Sequence, residues 1–364
     1  MVQCPLRGYN LLLMKSCQLL CFYFFLLVVG CEDNGYSHLE FSPPVFKDSV
    51  YVKTEIFNDT IYTRMAWGMA SYKDYIILLA NIDECQFQLY NKETGERVKG
   101  FGRLGRGPQE ILPVSNFHVN ESRGILTSYF QAARQILVFH LDSIIQGKEH
   151  FMDKIQIQEC TDMTFLEALP VHRNLLLYGG KCEAYPNGAR FSFFSDRGEY
   201  LSAYDEYPVI STSDALLKAS NWLDLNLTRT VSPDGRKFAE ATRLGGIMEI
   251  FEVTDSIKPV ALKGFYRPHF YLDNGRQIYT EKTQFGFYYL NSSDRAIYAL
   301  SFNGANSEML PSCDLQMFDW LGNPVKKYKA DKMLLNVCVD EKRHKAYALS
   351  QTPMRELILV SFDL

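Results

Sequence analysis

The chain has 364 residues, with 42 acidic and 38 basic side chains and a formal net charge of −4 at pH 7. It contains no basic block or stripe, which argues against a nucleic-acid partner. Aromatic residues make up 14% of the chain, and because aromatic side chains favour half-buried strands, we expect an all-β fold.

The first element along the chain is an apolar run from Leu19 to Val29, which is too short to span a membrane as a helix. Met14 and Lys15 precede this run as a short basic region, so Met14 is an alternative start. The run ends in Val-Val-Gly-Cys31, followed by acidic residues, and this junction resembles a bacterial lipoprotein signal. An uncleaved anchor helix and an ordinary secretory signal are the alternatives.

The lipoprotein resemblance implies a signal peptide over residues 1–30 and a lipid on Cys31, the first residue of the mature protein. It also implies an outer-membrane location, on the periplasmic face or at the cell surface, with the membrane as a partner through the lipid. The polar, proline-containing residues 31–44 are expected to form a tether. Residues 45–364 are expected to form a single domain, because the strand pattern continues without interruption.

Alternating apolar runs separated by turn-forming residues predict six antiparallel hairpins in this domain. The predicted hairpins are Met65–Asn81, Ser115–Phe130, Met163–Gly180, Arg229–Arg243, Gln284–Ser301 and Met333–Ser350. A third apolar strand follows each hairpin, starting near Phe87, Gln135, Arg190, Met248, Leu315 and Leu357. Because such units bury their apolar faces only against one another, the pattern predicts a six-bladed β-propeller.

The last blade is predicted to be incomplete, because the chain stops at Leu364, directly after its third strand. The alternating segment Val50–Phe57 has no hairpin partner of its own. We therefore expect it to supply the missing outer strand and to close the ring. Such closure covers a sheet edge that would otherwise expose unpaired backbone groups.

Gly100, Gly102 and Gly105 match the dinucleotide-binding pattern G-x-G-x-x-G. That pattern binds a pyrophosphate only where a helix begins at the last glycine. Here Arg106, Gly107 and Pro108 follow, so no helix is expected, and the glycines are interpreted as a connector between blades.

One helix is predicted over Ser213–Leu225, as an insertion between blades three and four. The cysteines after Cys31 lack metal-binding spacing. Cys160 and Cys182 are able to pair if their strands are neighbours, but free thiols are the preferred interpretation.

Two stretches resemble the TolB-like six-bladed propeller proteins that are common among Bacteroidetes lipoproteins. The first is Phe101–Glu110, where the family commonly has a phenylalanine, a glycine and a basic residue before G-x-G-P-G-E, although Gln109 stands where glycine is usual. The second is Met317–Val325, with Val339–Glu341 and Ala346–Ala348 after it. The resemblance covers the mature chain and implies the fold, but no activity.

In such a ring, the connectors between blades and those between second and third strands lie on one face. Arginine forks and aromatic platforms on this face suggest a site for an anionic or sugar-like ligand. The candidate residues are Arg106, Glu110, Arg134, Lys181, Tyr185, Arg243, Tyr266 and Arg355. The alternative is that the arginines pair with Glu84, Glu110 and Glu183.

Two classes of function fit the sequence. The preferred one is a monomeric, non-catalytic binding or scaffold protein with an unknown protein or carbohydrate partner and no cofactor. The other is a hydrolase or lyase with a metal in the central channel, for which Asn116, Glu167 and Asn336 are candidate ligands. Arg229 and Thr230 occupy the corresponding place in blade four and argue against it. The sequence shows no catalytic triad spacing and no nucleophile elbow.

Overall fold

The computed structural model describes residues 39–59, 61, 63, 65–157, 166–178, 189–207, 227–273, 276–302 and 311–364. Two short strands come first, β1 (Asp48–Val52) and β2 (Glu55–Asn58). Blade one contains β3 (Gly68–Tyr72), β4 (Tyr75–Ile82), β5 (Cys85–Asn91) and β6 (Arg97–Arg103). Blade two contains β7 (His118–Asn120), β8 (Ile125–Phe130), β9 (Gln135–His140) and β10 (Met152–Gln156), with a short helix α1 (Leu141–Ile145) after β9 and a 3-10 turn (Gln131–Ala133) after β8.

Blade three contains β11 (Glu167–Leu169), β12 (Leu175–Tyr178), β13 (Phe191–Phe194) and β14 (Tyr200–Tyr204). Blade four contains β15 (Leu227–Val231), β16 (Lys237–Thr242), β17 (Ile247–Val253) and β18 (Ile257–Gly264), and the hairpin β19 (Phe270–Asp273) and β20 (Arg276–Tyr279) follows it. Blade five contains β21 (Phe287–Ser292), β22 (Ala296–Phe302), β23 (Pro311–Asp319) and β24 (Pro324–Ala330). Blade six contains β25 (Asn336–Asp340), β26 (Lys345–Gln351) and β27 (Leu357–Asp363).

The strands within each blade pair antiparallel in sequence order, from the inner strand outward. The described strands thus confirm the predicted six-bladed, all-β propeller, and each predicted inner hairpin matches an observed strand pair. The middle strands are buried on both faces, because each lies between two strands and between two blades. Their Val, Ile, Phe and Ala residues suit this position.

Aromatic side chains fill the space between neighbouring blades. Between blades one and two, the ring of Phe87 stacks on Phe101 at 5.1 Å and meets the edge of Phe139 at 5.2 Å. Between blades three and four, Phe191 of blade three meets the ring of Phe238 at 5.2 Å, and Phe238 stacks on Phe251 of its own blade at 4.5 Å. Such rings bury large apolar areas, so the core is a series of wedges between blades.

The ring closes through β2, which pairs antiparallel with β27 of blade six. Glu55 lies opposite Ser361 and Ile56 opposite Val360, so the N-terminal segment supplies the fourth strand of the last blade, as predicted.

The predicted closing strand Val50–Phe57 is nevertheless not continuous. Its first part belongs to β1, which adds a fifth strand to blade five and runs parallel to β24. The backbone turns between the two strands at Thr54, whose N–H and hydroxyl both donate to Asp331 Oδ1, at 2.9 and 2.7 Å. This anchor explains why one alternating segment divides between two blades.

Residues upstream of β1 also contact the propeller. Phe41 forms a parallel bridge with Gly264 at the end of β18, and Phe46 packs against Phe318. Residues 39–44, assigned to the tether from sequence, thus already touch blade four. The segment from Phe41 to Asn58, here called the strap, crosses the outer edges of blades four, five and six in turn.

Gly100 and Gly102 of the dinucleotide-like pattern lie in β6 rather than in a connector, and only Gly105 lies in the connector after it. No helix begins there, as expected. Gly102 has φ +66°, and a Cβ at this position would lie 2.9 Å from the ring of Phe87. The glycine is therefore needed for backbone conformation and for close packing. None of the helices in the described part of the chain is long and apolar enough to cross a membrane.

Cys85, Cys313 and Cys338 are free thiols. The signal peptide, Cys31, Cys160, Cys182 and the predicted helix Ser213–Leu225 lie outside the described residues.

Candidate ligand channel

The inner strands of the blades surround an axial channel with a volume of about 220 Å³. Each inner strand pairs with only one neighbour, so its second edge points toward the axis and offers backbone N–H and C=O groups to the channel. The described lining residues are Trp67–Ser71, Asn116–Val119, Glu121, Glu167, Leu227–Val231, Pro233, Tyr288–Ser292 and Val339.

A charged trio forms part of the channel wall across blades two, three and four. His118 Nε2 lies 3.0 Å from Glu167 Oε2, and Arg229 Nη1 donates to Glu167 Oε1 at 3.1 Å. Burial by itself would raise the pKa of Glu167, but the charge of Arg229 and the hydrogen bond with His118 hold the pKa below its ordinary value. Glu167 is therefore an ionised carboxylate held by basic groups on two neighbouring blades.

Behind this trio, the ionic network continues into the wedge between blades three and four. Arg229 Nε donates to Glu240 at 2.8 Å, and Arg190 Nη2 donates to both Glu240 and Glu249. The side chain of Arg190 is fully buried. Burial alone would lower the pKa of Arg190, but the two carboxylates raise it above its ordinary value. These buried groups join blade three to blade four, which indicates a structural role.

Hydroxyl groups cap the open edges of several inner strands. The hydroxyl of Tyr289 accepts from Met69 N–H at 2.8 Å and donates to Met69 C=O at 2.6 Å, which links blade five to blade one across the channel. Ser292 Oγ donates to Val231 C=O at 2.8 Å and lies 2.9 Å from Thr230 Oγ1. A single hydroxyl thus satisfies a donor and an acceptor at an inner edge.

The two ends of the channel differ in chemistry. All inner strands run in the same direction, so their first residues gather at the connector face. There the lining includes Trp67, Phe117, Leu227 and Tyr288, and the Trp67 side chain is 39% exposed. The connector end therefore carries aromatic and apolar side chains beside the charged trio.

The turn end opens into a second cavity of about 400 Å³. The two cavities share Ser71, Glu121, Pro233, Ser292 and Val339. The lining of the second cavity mixes basic and acidic side chains, and several are paired: Lys92 with Asp340 at 2.6 Å, and Arg343 with Asp74 at 2.6 Å. Glu121 lines this cavity and is exposed to solvent. Partial desolvation of its carboxyl group by the surrounding protein nevertheless raises the pKa of Glu121 above its ordinary value. The turn end is therefore charged, with both signs present.

Of the site residues predicted from sequence, those that the structure describes lie on the connector face, outside the channel lining. Arg106 and Arg134 are exposed in connectors that both touch β10: Lys154 Nζ donates to Glu110 C=O at 2.6 Å, and Gln156 Nε2 donates to Arg134 C=O at 3.4 Å. Glu110 also accepts from Gly107 N–H at 2.8 Å. Arg355 is exposed after β26, in a left-handed conformation.

Arg243 follows β16 and Tyr266 follows β18, so both lie at the connector edge of blade four. The guanidinium of Arg243 lies 5.0 Å from the ring centre of Phe302, and burial raises the pKa of Tyr266. A Cβ on Gly246 would lie 3.3 Å from Tyr266. Lys181 and Tyr185 lie outside the described residues, as does Glu183.

The alternative prediction was that the candidate arginines pair with Glu84, Glu110 and Glu183. Glu84 and Glu110 do lie near an arginine, but it is Arg103, which was not among the candidates. Arg103 Nη2 donates to Glu84 at 2.9 Å, and Arg103 Nε lies 4.0 Å from Glu110.

Of the candidate metal ligands of the alternative function, Asn116 and Glu167 line the channel but Asn336 does not. Glu167 faces His118 and Arg229, Asn116 donates to Leu166 C=O at 3.1 Å, and Asn336 begins β25 outside the channel lining. Within the described residues, His, Cys, Asp and Glu side chains nowhere form a group of three that could hold a metal ion.

Sequence reasoning did not identify the trio of His118, Glu167 and Arg229 as a unit. One signal was available, since each is an ionisable residue inside or at the start of a short inner strand whose other side chains are uncharged. An ionisable residue there has to face the axis or a neighbouring blade.

Comparison with known proteins supports the fold. A family model described as "TolB-like 6-blade propeller-like" matches residues 45–342. A solved structure from Bacteroides fragilis named "Putative exported protein" is similar, with a TM-score of 0.54 and 12% identity over 89% of this chain and 98% of that chain. A DUF4221 family member from Bacteroides vulgatus has a TM-score of 0.50 and 10% identity over 85% and 97%.

Identities this low establish the fold alone, and no curated protein matches the chain. The family match covers most of the sequence and agrees with the six observed blades. The chain therefore belongs to the TolB-like family of six-bladed β-propellers.

Proposed function

We propose that this protein is a lipid-anchored propeller of the outer membrane that binds a ligand in its axial channel without converting it. In this proposal Cys31 carries the lipid, the protein is a monomer, and its partner is a protein or a carbohydrate. The lipoprotein-like N-terminus supports the location, and the name of the Bacteroides fragilis protein is consistent with export.

One observation carries the binding role, namely the axial cavity of about 220 Å³ with its open strand edges. Cavities lined by a few polar groups and by aromatic rings are the usual form of ligand sites. Three ionisable groups of the wall hold one another, because Glu167 contacts both His118 and Arg229. General acids and bases need access to a reacting atom, so this mutual engagement favours binding over catalysis.

The test uses equilibrium dialysis of the full-length protein against soluble digests of cell-envelope polysaccharide and peptidoglycan. Mass spectrometry then identifies the compounds that the protein retains. We expect at least one retained compound with unchanged mass. Ala70 lines the channel, so Ala70→Trp should fill the cavity and abolish retention.

Ala203 is exposed on the outer strand β14, so Ala203→Trp is the matched control and should retain the compound. Equal retention by both variants would place binding outside the channel. A retained compound that is released with a changed mass would establish an enzyme and overturn the non-catalytic role.

A further inference from the structure

The charged trio of His118, Glu167 and Arg229 does not favour either an anionic or a cationic ligand at the connector end of the channel. Glu167 lies between His118 and Arg229, at 3.0 and 3.1 Å. An anion in contact with this wall would meet the Glu167 carboxylate, and a cation would meet the Arg229 guanidinium. Either would have to displace an existing ion pair, which costs more in a partly dehydrated channel than in water.

The uncharged groups of the wall are suited to hydroxyls. The inner strand edges offer backbone N–H and C=O groups side by side, and Thr228 and Thr230 line the same cavity, with Thr230 Oγ1 lying 2.9 Å from Ser292 Oγ. The protein already uses one hydroxyl in this way, because Tyr289 accepts from Met69 N–H and donates to Met69 C=O. A ligand hydroxyl can do the same, since it both donates and accepts.

The aromatic connector end offers an apolar surface beside these polar edges. Trp67 is 39% exposed, and it lines the cavity together with Phe117 and Tyr288. A ligand that fits both surfaces has hydroxyls around its rim and an apolar C–H face. The volume of about 220 Å³ is below the roughly 300–1,000 Å³ of sites for drug-sized molecules, so it suits a single ring.

From these features we infer that the channel binds the uncharged ring of a pyranose sugar. The C–H face of the ring lies against Trp67, and its hydroxyls bond to the inner strand edges and to Thr228. This inference rests on the proposed binding function and specifies the ligand class for the same channel. Ring–aromatic contact combined with hydroxyl recognition gives affinity without charge.

The test is calorimetric titration of the full-length protein with small probes of matched ring size. The neutral probes are D-glucose, D-galactose and D-mannose. The charged probes are D-glucuronate and D-glucosamine, and cyclohexanol is the apolar probe. At least one neutral hexose should bind with a Kd of about 1–10 mM, and about tenfold more tightly than the charged and apolar probes.

Trp67→Ala should weaken binding of that hexose about tenfold, through loss of the ring contact. Tyr51→Ala is the matched control, because Tyr51 is an exposed aromatic residue on β1 at the outer edge of blade five, and it should leave the Kd unchanged. Thr228→Val keeps the side-chain shape but removes a hydroxyl, so it should also weaken binding of that hexose. It replaces Trp67→Ala in the test if the Trp67→Ala protein does not fold.

The inference is overturned if no neutral hexose binds at about 50 mM, well above the expected Kd. Tighter binding of D-glucosamine would instead indicate a cation site near Glu121, and tighter binding of D-glucuronate an anion site. Equal binding of cyclohexanol would indicate an apolar site. In each of these cases, a compound retained in the dialysis experiment by the unsubstituted protein but not by Ala70→Trp would still support the proposed binding function. If no compound is retained in this way, the proposed binding function is contradicted as well.

Discussion

Lys92 of blade one and Asp340 of blade six form a buried ion pair at the seam where the ring closes, with Lys92 Nζ 2.6 Å from Asp340 Oδ2. The lysine side chain is only 1% exposed. Its remaining donors reach Ser71 Oγ and Lys73 C=O, both at 2.6 Å. Arg343 also bonds to Asp340, at 2.9 Å. The seam thus depends on a fully hydrogen-bonded lysine.

Replacement of Lys92 by methionine should lower the free energy of unfolding by about 3 kcal/mol, measured by urea denaturation. The value lies at the lower end of the range for breaking a buried pair, because Arg343 still compensates Asp340. The double variant with Asp340→Leu should recover part of the loss, since no carboxylate is then left without its lysine. A loss below about 0.5 kcal/mol for the single variant would show that the pair does not stabilise the seam.

Acid should weaken the same seam. Burial by itself would raise the pKa of Asp340, but hydrogen bonds from Lys92 and Arg343 hold it below its ordinary value. A carboxylate with a lowered folded-state pKa contributes stability that is complete above its unfolded pKa of about 3.9 and is lost as the pH falls further. Urea unfolding between neutral pH and about pH 3 should therefore show a loss of stability that is smaller in Asp340→Asn. Identical pH profiles for both proteins would contradict this assignment.

Removal of the closing strand should destabilise the propeller more than removal of β1. A chain that begins at Thr63 lacks β2 and exposes the edge of β27, whereas one that begins at Lys53 lacks only β1. The first should melt at least about 5 °C below a chain that begins at Gly35, and it should associate through the open edge. The second should lose less. Equal melting temperatures and monomeric behaviour for the Gly35 and Thr63 chains would refute closure by β2.

A single substitution tests the position of β2 through a second contact, between Gly95 of blade one and Phe57. Gly95 has φ +74°, and a Cβ there would lie 2.2 Å from the carbonyl oxygen of Phe57 in β2. Gly95→Ala should therefore destabilise the fold by more than the roughly 1 kcal/mol of backbone strain alone. Gly147 is the matched control, because it has φ +71° and nothing within 4 Å of its Cβ position. Equal losses for the two alanine variants in thermal unfolding would mean that the strap moves aside freely.

The proposed lipid on Cys31 predicts that the protein leaves the membrane fraction when this cysteine is replaced. Cys31→Ala should release the protein from salt-washed membranes into the soluble envelope fraction, because the lipid is the proposed anchor. Cys21→Ala, within the apolar run, is the control and should stay with the membranes. A Cys31→Ala protein that remains entirely in the membrane fraction would disprove the lipid anchor.

The number of blades and the boundaries of their hairpins followed from the sequence because they depend on local patterns. Alternating apolar residues, turn residues and the apolar third strands each span only a few neighbouring residues, so the sequence alone is enough to recognise them. The rejection of a nucleotide-binding helix was equally clear, since Arg106, Gly107 and Pro108 after Gly105 do not start one, although Gly100 and Gly102 belong to β6 rather than to the connector. Closure by the N-terminal segment also followed, because a strand without a partner and a blade without an outer strand imply each other.

Tertiary structure alone decided how that segment divides and what the channel contains. Val50 and Ile56 alternate in the same way, yet they pair with different blades, because Asp331 holds the turn at Thr54. The wall trio joins three blades, and the Tyr289 hydroxyl meets Met69 across 220 residues of sequence. No local pattern encodes such partners. They are set by the radius of the closed ring, which brings the inner strands of distant blades to one axis.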